Sequence, residues 1–185
     1  METIERIEAD LRQELSEKRY LHSVGAMKMA EKLAQRYGID SHIAALTGLV
    51  HDIGKELSDE EKLDYVKENQ IVVDEIEEKN VGLLHAKIGA DIAKKRYGFT
   101  KEMGQAIEYH TTGNPKMDLL AKITFIADKI EETRQYPQVL VIREVALENI
   151  DECMLMILSY DIKKNIDKNK LIHPSSILIR NQLLL

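Results

Sequence analysis

The stretch His22-Ser23-Val24-Gly25-Ala26-Met27-Lys28-Met29-Ala30-Glu31-Lys32-Leu33, closed by Gly38, sets the fold class. Small and apolar residues follow His22 at Gly25, Ala26, Met29 and Leu33, one stripe of an α-helix, and Gly38 supplies the stop. The same period runs outward. Asp40 or Ser41 caps a following helix that reaches about Ile53, with Gly54 as its stop. Further helices are predicted at about 2–17, 59–69, 83–97, 101–110, 116–133, 138–149, 151–167 and 175–183. Three prolines and five of the nine glycines fall between these patterns, Trp is absent, and no segment alternates as a strand should. The reading is an all-α bundle of about ten helices, one domain over 1–185, with a core at about 19–134 and C-terminal helices at about 138–185.

Apolar residues make up 44% and charged residues 31% of the 185, a globular composition that can bury a full core. The one cysteine, Cys153, rules out a disulfide framework or a Cys-type zinc site and reads as buried and inert. Lys+Arg 26 against Asp+Glu 32 gives −6, which argues against nucleic-acid or anionic-membrane partners. No apolar run approaches a membrane span and the N-terminus lacks signal-peptide features, so a soluble, cytoplasmic protein is expected. The stripe Met154, Ile157, Leu158 reads as core or as a homodimer face.

Of six histidines, four lie on stripes that should face inward: His22, His51 beside Ala44, Thr47 and Gly48, His85 beside Ile88, Gly89 and Ile92, and His110 beside Met103, Ala106 and Ile107. The small residues one turn away leave room for a ligand beside each ring. One buried histidine is ordinarily a satisfied core residue, but four on four helices are most economically partnered by a metal. His51-Asp52, in Leu49-Val50-His51-Asp52-Ile53-Gly54-Lys55, can reach one ion together only near a helix end. Asp128, in Ile123-Thr124-Phe125-Ile126-Ala127-Asp128-Lys129-Ile130, is an inward carboxylate that needs a metal or a salt bridge to Lys129 or Arg134. Imidazole with carboxylate suits Fe, Mn, Co or Zn more than Mg. His42, in a first turn, reads as a surface residue, and Glu75, Glu77 and Glu78 as a solvated loop or helix face.

At His22, His51-Asp52 and Asp128 the sequence resembles the HD-domain superfamily of metal-dependent phosphohydrolases. Arg19-Tyr20-Leu21-His22-Ser23, Leu83-Leu84-His85, His110-Thr111-Thr112-Gly113, Met117, Ala127-Asp128-Lys129-Ile130-Glu131, Arg134, Ile172-His173-Pro174 and Asn181 narrow the resemblance. They look like the bacterial YqeK-type symmetrical bis(5′-nucleosyl)-tetraphosphatases, over roughly residues 19–182. One departure is Glu131-Glu132-Thr133, where a proline is expected after the first Glu.

The resemblance implies an HD fold, an iron-type divalent metal for which Mn or Co may substitute, and a dinucleoside polyphosphate substrate or nucleoside diphosphate ligand. Diadenosine tetraphosphate would be cut to two ADP by attack of metal-bound water on an inner phosphorus. The metal set is then His22, His51, Asp52 and Asp128. His85 and His110 are either general acids or holders of a second metal. Arg19 and Thr111 are placed to meet phosphate, Lys55 to meet it or to stand solvated after the helix, and Arg134 to lie at the pocket rim or on the surface. The loop Lys170, Leu171, Ile172, His173, Pro174, Ser175 is expected to close the nucleoside pocket, with Ser175 or Ser176 near the cap of the last helix. The competing readings are another nucleotide substrate, such as a nucleoside monophosphate or an alarmone, and a non-catalytic nucleotide-sensing module.

Overall fold

The computed structural model describes residues 3–185. Among them are eleven α-helices and one 3₁₀ turn: α1 (Ile4–Glu14), α2 (Glu17–Tyr37), α3 (Ser41–Val50), α4 (Asp59–Glu68), α5 (Glu75–Lys79), the turn Val81–Leu84, α6 (His85–Tyr97), α7 (Lys101–Tyr109), α8 (Leu119–Ile130), α9 (Val139–Glu148), α10 (Ile150–Asp167) and α11 (Pro174–Gln182). The all-α expectation holds. None of these helices is long and apolar enough to cross a membrane.

Local sequence sets the boundaries. Ser16, Asp40, Thr100, Asp118 and Asn149 cap α2, α3, α7, α8 and α10 through side-chain oxygens. Ser58 and Asp74 form capping boxes with Glu61 and Glu77. Gly38 and Gly98 end α2 and α6 in the left-handed conformation.

Four expectations are corrected. The helix expected at 2–17 is broken at extended Leu15, because Ser16 turns its hydroxyl to the Arg19 N–H and starts α2 afresh. Gly54 is no left-handed stop; a Cβ there would lie 2.9 Å from the His85 carbonyl oxygen, so glycine is needed for close approach. Glu77 is buried, its carboxylate accepting from Lys87 and the Asp74 N–H, and is not part of a solvated face. His173, not Ser175 or Ser176, caps α11, its Nδ1 accepting from the Ser175 N–H above Pro174.

α3 is the pivot. Every residue from Ala44 to Val50 is buried, so the helix is covered on all sides. One hydrophobic cluster joins α2, α3, α8, α9, α10 and α11 around Leu33, Phe125, Ile130 and Ile157. A second joins α1, α3, α6 and α7 around Leu11, Leu49, Met103 and Ile107. Each fully buried Leu or Ile contributes about 1.5–3 kcal/mol. Met154, Ile157 and Leu158 belong to the first cluster, as core. Gly48 lets α3 lie directly on α2, where a Cβ would sit 2.8 Å from the Ala26 carbonyl oxygen. That approach brings the end of α3 against the start of α2.

Candidate metal centre

Five pieces of chain converge between the two clusters. α2 supplies His22, the turn after α3 supplies His51 and Asp52, the first residue of α6 is His85, His110 follows α7, and α8 carries Asp128. All six are buried.

Their ring orientations are fixed from behind. His51 Nδ1 lies 2.7 Å from the Gly48 carbonyl oxygen, His85 Nδ1 2.6 Å from that of Gly82, and His110 Nδ1 2.6 Å from that of Ile107. His22 Nδ1 lies 3.0 Å from Glu131 Oε1. A carbonyl or carboxylate oxygen only accepts, so each Nδ1 carries a proton and each ring turns its Nε2 inward, where a neutral ring offers a lone pair.

The Nε2 atoms then meet in two pairs. His22 and His51 approach to 3.1 Å, and His85 and His110 to 3.1 Å. Lone pairs that close repel unless a cation stands between them. Asp128 Oδ1 completes the first set, 3.0 Å from His22 Nε2 and 3.6 Å from His51 Nε2. Asp52 divides itself: Oδ2 lies 3.6 and 3.5 Å from His22 and His51 Nε2, while Oδ1 lies 3.2 and 3.5 Å from His85 and His110 Nε2. His22, His51 and Asp128, and His51, Asp52 and His110, offer ligand atoms within reach of single ions. The donor set fits divalent transition metals, and Glu131 is the kind of outer partner that metal-ligating histidines ordinarily have.

The electrostatics agree. Burial raises the Asp52 carboxyl, but His51 and the His110 and His85 rings beside it hold it well below the usual range. Asp128 is likewise held low against burial by Lys129, His22 and His51. Burial disfavours a charged His51, yet the two aspartates raise it to about 9. The field that holds a proton there is one a divalent cation would also feel. His85 and His110, farther from Asp128, are pushed down by burial, His110 to about 3.

Cations ring the centre. Arg19 pairs with Asp52 Oδ2, and its buried Nε has no partner. Arg134 Nη2 donates to Asp128 Oδ1 at 2.5 Å and lies 3.3 Å from His22 Nε2, while Lys129 Nζ reaches Asp128 Oδ2 at 2.7 Å. Both salt bridges considered for Asp128 therefore exist, beside the imidazoles. Lys55 Nζ stands 3.2 Å from His85 Nε2, and Thr111 Oγ1 lies 3.2 and 3.0 Å from His85 and His110 Nε2.

Beyond Thr111 opens a cavity of about 250 Å³, with Asn80, Leu83, Phe125 and Lys129 in its walls and Lys170, Leu171, Ile172 and His173 across it. Pro174 and Ser175 are not in its lining; they begin α11, and Thr112 and Ser176 take that wall, tied by Ser176 Oγ to the Thr112 carbonyl at 2.8 Å. His173 Nε2 is turned to Asp74 Oδ2 at 2.7 Å.

Sequence reasoning missed Glu131. The space Gly25 leaves beside His22 holds this carboxylate, not a ligand: a Cβ there would be 2.5 Å from Glu131 Oε2. The signal was a carboxylate one turn after Asp128, opposite a mid-helix glycine one turn after His22. Lys129, treated only as a counter-ion, also lines the cavity.

The comparisons agree with this geometry. The HD domain pattern matches residues 19–133. Symmetrical bis(5′-nucleosyl)-tetraphosphatases are similar throughout: that of Halalkalibacterium halodurans is 37% identical, covering 92% of this chain and 91% of its own, and that of Bacillus subtilis 32%, covering 95% and 94%. A crystal structure of an HD superfamily hydrolase from Clostridium acetobutylicum, ascribed to NAD metabolism, superposes with a TM-score of 0.95 at 38% identity, covering 100% of this chain and 98% of the other.

Proposed function

The chain belongs to the HD domain family, among its symmetrical bis(5′-nucleosyl)-tetraphosphatases, and from that premise we propose that it holds two divalent ions across Asp52 and cleaves diadenosine tetraphosphate into two ADP. The observation that carries this reading is the split of Asp52, one oxygen toward His22 and His51 and the other toward His85 and His110. His22, His51, Asp52 and Asp128 would hold one ion, and Asp52, His85 and His110 the other. The tautomers support ligand roles for His85 and His110: each proton is committed to a backbone carbonyl, which leaves none at Nε2 to donate. Four imidazoles favour iron, manganese or cobalt over magnesium. When bound, such ions neutralise phosphate oxygens and acidify water toward neutral pH.

The protein's own groups position the substrate. Arg19, with its free Nε, and Arg134 flank the two aspartates and would fork onto phosphate oxygens. Lys55 and Lys129 add charge on either side, and the Thr111 hydroxyl can orient water or phosphate at the second set. The 250 Å³ cavity takes one nucleoside, with Phe125 and Leu171 against the base and the Lys170–His173 segment as its outer wall.

The test is chromatographic. Protein purified without oxygen and loaded with iron, manganese or cobalt should turn diadenosine tetraphosphate into ADP alone. ATP with AMP, or no turnover with any of the three metals, would overturn the reading. Asp52→Asn should lose both ions by elemental analysis and at least about a thousandfold in rate, since Lewis-acid stabilisation is worth several kcal/mol.

A further inference from the structure

A substrate with two identical nucleosides needs a second place for the other one. The surroundings of the metal centre contain a second cavity, beside Arg134. Arg134, which touches both Asp128 and His22, forms one wall of this cavity of about 160 Å³. Lys129, Tyr136, Ile157, Tyr160, Asp161 and Lys164 form the rest. The Tyr136 and Tyr160 rings are near-parallel, at 27° with centroids 5.0 Å apart, and Lys164 Nζ lies 5.8 Å from the Tyr160 centroid.

The two cavities relate to the two ligand sets in matching ways. Thr111 touches His85 and His110 and lines the larger one. Arg134 touches His22 and Asp128 and lines the smaller one. Lys129, Asp161 and Lys164 line both. A chain of phosphates centred on Asp52 therefore has one cavity beside each ligand set, the two meeting along Lys129, Asp161 and Lys164. In the smaller one, the paired tyrosines offer the flat surface on which any base stacks, and Asp161 offers an acceptor for ribose hydroxyls or an exocyclic amine.

Resting on the proposed function, we propose that the Arg134–Tyr136–Tyr160 cavity is the second nucleoside subsite, with Tyr160 as its stacking platform. Occupation of both cavities centres the tetraphosphate on Asp52 and makes the cut symmetrical.

The test uses the metal-loaded full chain and two probes. Wild type should bind two ADP per chain in calorimetric titration, and Tyr160→Ala should bind one. For diadenosine tetraphosphate, Tyr160→Ala and Tyr160→Leu should raise KM about tenfold or more, the range of losing one base stack, with kcat within about twofold and metal content unchanged. Tyr160→Phe, which keeps the ring, should restore KM. Leucine preserves the apolar packing if alanine does not fold. Wild type that binds one ADP, or variants that keep both KM and two ADP, would overturn the subsite while ADP-only products leave the proposed function standing. Wild type that yields ATP and AMP would overturn both.

Discussion

Gly25 has no side chain where Glu131 needs its space: a Cβ would come within 2.5 Å of Glu131 Oε2, on the carboxylate that holds the His22 ring. The same carboxylate accepts from the Thr133 N–H at 2.6 Å and its hydroxyl at 2.5 Å, so it cannot retreat without breaking those bonds. Gly25→Ala is therefore expected to turn His22 loose while the core stays intact. Metal affinity should fall about 10–100-fold, as it does when an outer partner of a ligating histidine is lost. Glu131→Gln should act in the same direction, because its amide still accepts but carries no charge. Metal titration by calorimetry, with circular dichroism to show the helices unchanged, checks both.

Two helical glycines separate packing from propensity. A Cβ at Gly48 would meet Ala26 backbone oxygen at 2.8 Å, and helix backbone cannot step aside. Gly48→Ala should cost about 1–3 kcal/mol as overpacking, lowering Tm by about 2–10 °C for a chain of this size. At Gly104 a Cβ would meet nothing within 4 Å. Gly104→Ala in α7 should gain about 0.5–1 kcal/mol from helix propensity. Thermal melts of the two variants should move in opposite directions.

Asp74 fastens the outer wall of the larger cavity. Its Oδ1 caps α5 and its Oδ2 accepts from His173 Nε2 at 2.7 Å. Burial raises this carboxyl, but the Glu77 N–H, His173 and the Ile76 N–H hold it below the usual range. A lowered carboxyl supports the folded arrangement above its unfolded pKa, and the support is lost as pH falls through the folded value. Asp74→Asn keeps an oxygen for the cap and turns an N–H toward the His173 donor. We expect KM for the dinucleotide to rise a few-fold with metal content unchanged. A folded variant with unaltered KM would show that the His173 contact does not shape the cavity.

Cys153 gives an alkaline signature. The thiol is fully buried and burial pushes it up to about 12. The unfolded thiol ionises near 8.5, so above that pH the unfolded chain gives up a proton the folded chain keeps, and stability falls. Between pH 7.5 and 9.5 the loss is about 1.4 kcal/mol. Urea unfolding of wild type and Cys153→Ala at both values should show that extra loss in wild type alone. Native protein should also resist thiol reagents until it unfolds.

Residues whose partners are near in sequence were legible in advance. The stripe at Gly25, Ala26, Met29 and Leu33, the caps at Asp40 and Ser58, and the left-handed Gly38 depend on neighbours within one or two turns. So do the inward faces of the four histidines. The break at Leu15 and Ser16 was missed because both sides of it are helix-forming sequence and only one hydroxyl separates them. Glu131 was missed, and Gly54 and Glu77 were misread, for a common reason. Their partners, His22, His85 and Lys87, lie on other elements, and a single sequence carries no mark of which elements will meet. The division of Asp52 between two imidazole pairs was hidden in the same way.

The backing of the four rings differs in kind. His51, His85 and His110 each lean on the carbonyl three residues earlier, a bond their own turn can make as it forms. His22 leans on a carboxylate 109 residues away, available only after the end of α8 has come to rest on α2. During folding, three rings can be aimed early and one must wait. Refolding in the presence of metal should therefore show ion capture lagging helix formation and coinciding with the docking of α8, and Glu131→Gln should lengthen that lag more than it slows the appearance of helix.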